Sequence, residues 1–170
     1  NSIFDFDPTK LSVHTRDIGL AGIEVYDYLR DDYGIQIEFG DIGNILAYIS
    51  VGDRPRDIER LISALAEIKR RFGKSETGML TQEYISAIVA ERPRKAFYAP
   101  KISLSLDDSI GKVCTEFVMC YPPGIPILTP GEVITDEIIE LILYSKEKGC
   151  SLQGTLDPEV ELINVIKEGN

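Results

Sequence analysis

Histidine is almost missing from this chain. One imidazole, His14, stands among 170 residues, which limits acid–base schemes and any Ser/His/Asp arrangement. No P-loop, GxGxxG, HExxH or GxSxG pattern occurs, so the common phosphate, zinc and hydrolase signatures are excluded. The three cysteines, Cys114, Cys120 and Cys150, are odd in number and lack C-x-x-C spacing. They are expected as small buried apolar residues in a reducing cytoplasm, not as a disulfide framework or a metal centre. Basic side chains are also scarce. Lys and Arg number 18 against 28 Asp and Glu, a net charge of −10. That balance argues against nucleic acid and against an anionic membrane surface, and it favours cationic small molecules. No apolar run approaches the roughly 18–20 residues that span a bilayer, and no basic segment followed by an apolar one reads as a secretion leader.

What is present describes a globular protein. A hydrophobic content of 44% over 170 residues suits one compact domain or two small ones. The pattern predicts an α+β fold of two small domains. Residues 1–73 read as strand, helix, strand, strand, helix, an open sheet with both helices on one face. The strands are expected at 10–15, 35–39 and 45–51, where apolar and polar residues alternate or an apolar run occurs. The helices are expected at 23–33 and after Asp53, which can cap the second. Pro55 sits in its first turn, and Ile58, Leu61, Ile62, Leu65, Ile68 and Phe72 mark an apolar face closed by Gly73. Residues 74–93 are expected as a linker with a weak helix over 81–90.

Residues 94–170 are predicted as a mixed α+β domain with a Pro-rich loop. Strands are expected at 101–106, 113–121 and 162–166. Between them Tyr121-Pro122-Pro123-Gly124-Ile125-Pro126 must form a rigid loop or a sheet edge, because proline cannot donate to a ladder. Thr135 caps a strongly apolar helix that ends near Gly149. Glu116 interrupts the apolar run 113–121, and a carboxylate there either faces solvent or needs a cationic or hydrogen-bonding partner. Glu38, on the second strand, and Asp41, in the turn after it, are the other candidate acids; His14 is expected to be a structural or surface residue.

Those residues carry a family resemblance. Tyr121 to Pro126, followed by Pro130-Gly131-Glu132 and the apolar helix, resembles the C-terminal domain of the bacterial Orn/Lys/Arg decarboxylases, pyridoxal-phosphate enzymes of the aspartate aminotransferase fold. Asp7-Pro8-Thr9-Lys10-Leu11, Gly19-Leu20-Ala21-Gly22, Tyr33 to Glu38, Asn44 to Ala47 and Gly52-Asp53 are similar to the small subdomain of that family. Arg94-Lys95-Ala96-Phe97 resembles the start of its last domain. The family's Ser-x-His-Lys motif is missing, since Thr15 follows the single histidine.

The resemblance therefore implies no catalytic, cofactor-binding or metal-binding residue in this chain. It implies instead the C-terminal portion of a longer cytoplasmic enzyme, and the start at Asn1 agrees. Its partners would be a missing N-terminal domain holding pyridoxal phosphate, further copies in a homo-oligomer, and a basic amino-acid substrate. Arginine is favoured over lysine and ornithine, giving the polyamine precursor agmatine. Glu116, then Asp41 and Glu38, are the candidates for the substrate's distal cation. The competing expectation is a non-catalytic binding or assembly protein reusing these domains.

Overall fold

A computed structural model describes residues 5–73 and 85–167. The chain divides into two compact units, Asn1–Met79 and Leu80–Asn170. Most of the expected linker, and the first part of the helix predicted within it, lie outside the described residues.

In the first unit, strands β1 (Lys10–His14), β2 (Phe39–Gly40) and β3 (Asn44–Tyr48) form an antiparallel sheet in the order β1-β3-β2, with helices α1 (Gly22–Asp31) and α2 (Pro55–Phe72). Leu20, Val25, Leu29, Ile45, Ala47, Leu61, Ala64 and Ile68 form its core. The element order is the expected one. Two details differ. Residues 35–38 are not a strand: the Ile35 amide donates to Leu29 O at 2.8 Å, tying the start of the segment to the helix end, while Glu38 N reaches Leu46 O of β3 at 3.0 Å. Asp53 does not cap α2. Its carboxylate accepts from Ser50 N at 2.6 Å, and Asp57 instead accepts from Arg54 N at 3.0 Å. Ile62 is 60% exposed, because it is rotated about 100° from Leu61 and leaves the buried stripe.

Glycine fixes how close α1 comes to the sheet. A Cβ on Gly22 would lie 1.8 Å from Asn44 O, and one on Gly40 would lie 2.2 Å from Gly22 O. Backbone rests on backbone there, and the Ile23 amide donates to Asp41 O at 2.9 Å. The Gly19-Leu20-Ala21-Gly22 motif thus has a packing reason.

The second unit contains α3 (Pro93–Phe97), β4 (Lys101–Ser105), β5 (Val118–Tyr121), β6 (Ile125–Leu128), α4 (Asp136–Glu147), β7 (Ser151–Gln153) and β8 (Leu162–Ile166). Strands β4 and β8 pair, and β6-β5-β7 form a second antiparallel sheet. The core joins Val118, Leu128, Ile134, Ile138, Ile142, Ile163 and Val165. Thr135 does cap α4, its Oγ1 accepting from Ile138 N at 3.4 Å.

The Pro-rich segment turns β5 into β6, so Pro126 lies on an edge strand, where a missing N–H is harmless. Of the strand expected at 113–121, only Val118–Tyr121 forms. Val113 and Cys114 make isolated bridges to Val133 and Val165. Described residues 85–90 of the predicted helix are not helical: Val89 bridges to Glu132, and the Ala90 and Glu91 amides both donate to Gly131 O at 2.9 and 3.0 Å. A Cβ on Gly131 would meet Glu91 O at 2.2 Å, which accounts for glycine in Pro130-Gly131-Glu132.

Candidate functional site

Glu116 lies between Thr115 and Phe117, in the bend that replaces the expected strand. It is buried, at 6% exposure, and it does not face solvent. A buried carboxylate needs donors, and β8 and the loop before it supply them. Asn164 N donates to Oε1 at 2.9 Å, Asn164 Nδ2 to Oε2 at 2.9 Å, and Leu156 N to Oε2 at 3.2 Å. The network continues: Ser103 Oγ donates to Asn164 Oδ1 at 2.7 Å, and Thr115 N donates to Asn164 O at 2.9 Å. Three N–H groups occupy most of the roughly four lone-pair directions of a carboxylate. Glu116 is therefore committed inside the fold, bracing the bend against β8.

Its neighbour Cys114 is equally internal. The thiol donates to Glu116 O at 3.0 Å, and burial pushes it up to about 12, so it is not a nucleophile near neutral pH. All three cysteines are buried. Nearby, Asp157 closes the loop before β8. Its carboxyl sits below its ordinary range, chiefly because Leu162 N donates to it, with Glu161 N and Glu159 N adding to the effect.

Asp41 is half-buried and also occupied. Its Oδ1 accepts from Gly43 N at 2.7 Å and Asn44 N at 2.6 Å, a turn-closing role common for aspartate. Glu38 differs. Its side chain is exposed and has no hydrogen bond or ion pair among the described residues. It lines a cavity of ≈ 350 Å³ in the first unit with Tyr48, Asp53, Asp57, Arg60 and Leu61. Glu38 and Asp41 belong to the first unit and Glu116 to the second. Sequence inspection did not single out the cavity, because its walls come from residues 34–38, the end of β3 and the start of α2.

His14 is followed by Thr15, not Lys, and its Nδ1 lies 2.9 Å from Asn44 Oδ1 with Nε2 3.7 Å from Asp17. That arrangement is a surface polar cluster. No helix among the described residues is long and apolar enough to cross a membrane.

Residues 79–160 match the Orn/Lys/Arg decarboxylase C-terminal domain. The arginine decarboxylase of Bacillus subtilis (strain 168) is 39% identical over 97% of this chain. The chain belongs to the Orn/Lys/Arg decarboxylase family, as its C-terminal portion. The Bacillus anthracis arginine decarboxylase is 37% identical over 99% of the chain. The chain spans about a third of the curated relatives it matches, 34% and 35% of their lengths. Constitutive lysine decarboxylase of Escherichia coli has the same fold over 95% of this chain and 32% of its own, at a TM-score of 0.64 and 18% identity. Both the family and the α+β fold expected of this decarboxylase portion are thereby found.

Proposed function

We propose that this chain is the C-terminal part of a pyridoxal-phosphate-dependent decarboxylase of basic amino acids, with arginine as substrate and agmatine as product. The observation that carries this reading is the identity of 39% to an arginine decarboxylase across 97% of the chain. The cofactor supplies the electron sink that decarboxylation requires, and it is held by the remainder of the polypeptide. Residues 1–73 act as the small subdomain that closes the substrate cleft, and residues 94–170 as the terminal domain of a cytoplasmic homo-oligomer.

Glu116 and Asp41 are spent on internal N–H donors, so the distal guanidinium or ammonium falls to Glu38. A free carboxylate beside a cavity suits that task, and a guanidinium can meet it with two parallel hydrogen bonds.

The test is the longest natural polypeptide containing this chain. It should carry a Ser-x-His-Lys motif and convert arginine in preference to lysine or ornithine. Lack of the motif and of turnover would return the chain to the assembly-protein alternative. Glu38→Gln in that polypeptide should lower kcat/KM for arginine about 10- to 150-fold, equivalent to the roughly 1.5–3 kcal/mol of a hydrogen bond to a charged group. An unchanged kcat/KM removes Glu38 from the site.

A further inference from the structure

The cavity that holds Glu38 also holds a cation. Arg60 lines it, yet among the described residues it forms no ion pair, with Glu38 or with any other carboxylate. Its Nη2 donates instead to Tyr33 O. That carbonyl lies two residues beyond α1, near the negative end of the helix dipole, where a cationic donor is favoured. The guanidinium rests against Gly34, whose φ of 59° turns the chain out of the helix; a Cβ there would sit 3.4 Å from Nη2.

The bond matters because of the segment that follows it. Residues 34–38 have little packing of their own: Ile37 is buried, whereas Gly34, Gln36 and Glu38 are exposed. Their placement rests on polar tethers. Ile35 N donates to Leu29 O at 2.8 Å and Glu38 N to Leu46 O at 3.0 Å, while Gln36 Nε2 donates to Tyr26 OH at 2.7 Å. Those bonds tie the segment to α1 and β3. Arg60 adds a tether to α2, which lines the same cavity with Asp57, Ile58 and Leu61.

We infer that Arg60 is a positioning residue for Glu38. By holding Tyr33 to α2 it fixes the segment that carries Glu38 relative to the helix wall of the cavity. By spending its donor on a carbonyl it leaves the Glu38 carboxylate open to the distal cation of the substrate, where an Arg60–Glu38 ion pair would cancel it. The inference rests on the proposed role of Glu38 and adds the residue that holds that role in place.

The test is a double-substitution cycle in the longest natural polypeptide containing this chain, followed by steady-state kinetics with arginine. Arg60→Met keeps an unbranched stem and loses every donor; the side chain is exposed, so circular dichroism should be unchanged. The KM for arginine should rise about tenfold with kcat within about twofold, the signature of lost binding. Misplacement of a binding group by about 1 Å is enough for a change of that size. In a Glu38→Ala background, where the positioned group is gone, Arg60→Met should change KM by less than about twofold. An unchanged KM in Arg60→Met, beside a raised KM in Glu38→Ala, would overturn the inference and leave the role of Glu38 standing. A loss that persists in full in the Glu38→Ala background, or a fall in kcat at unchanged KM, would also overturn it, in favour of a purely structural tie. A neutral Glu38→Ala removes the role of Glu38, and the inference falls with it.

Discussion

The two units of this chain solve the same problem by different chemistry. The first is held by one apolar core with two helices; most of its polar groups close turns, and Thr15, which donates to Gly43 O, is its buried polar side chain. The second buries a carboxylate, an asparagine and a threonine among its apolar residues, with Glu116, Asn164 and Thr115 all under 9% exposed. A hydrophobic core tolerates loss of a few methylene groups in proportion to the volume removed. A buried polar network responds more sharply, because every partner left behind keeps its desolvation cost.

That contrast can be broken by mutation. Glu116→Ala leaves Asn164 N, Asn164 Nδ2 and Leu156 N without their acceptor, and it should destabilise the second unit by about 3–5 kcal/mol. Urea unfolding with hydrogen exchange resolved by segment should show β8 and residues 154–161 opening while α2 keeps its protection. Ile68→Ala, at a site of 0% exposure in the first unit, should cost about 3 kcal/mol and open α1 and α2 first. If Ile68→Ala proves the costlier of the two, the polar network is less binding than its geometry implies. Thr135→Ala removes only one cap bond of α4 and should cost about 1 kcal/mol, measured as a small shift in the urea midpoint.

The same contrast decided what could be read from sequence. In the first unit the spacing of Leu61, Leu65, Ile68 and Phe72 along α2 and the glycines around α1 are local signals, and the element order followed from them. Ile35 to Glu38 misled, since alternation cannot reveal that Leu29 O takes the Ile35 amide. In the second unit the decisive contacts are remote. Glu116 meets Asn164 across 48 positions, and the 85–91 segment meets Gly131, so neither the bend nor the non-helical entry had a local signature. Glu116 stood out because a charge in an apolar run demands an explanation. Its partners are the chain's own backbone and amide, the hydrogen-bonding alternative among those that such a carboxylate leaves open. Glu38 and Asp41 looked alike as acids near a turn, and only the hydrogen bonds to Asp41 separate them.

The hydrogen bonds from Ala90 and Glu91 to Gly131 bear on how the protein can be dissected. Val133 N also donates to Ile88 O at 2.8 Å, so residues 88–91 are stitched to the stretch that follows the Pro-rich hairpin. A terminal fragment cut at Arg94, inside the matched stretch 79–160, would lack that stitch and leave the Gly131 carbonyl and the Val133 amide bare. A fragment that starts ahead of Ile88 keeps it.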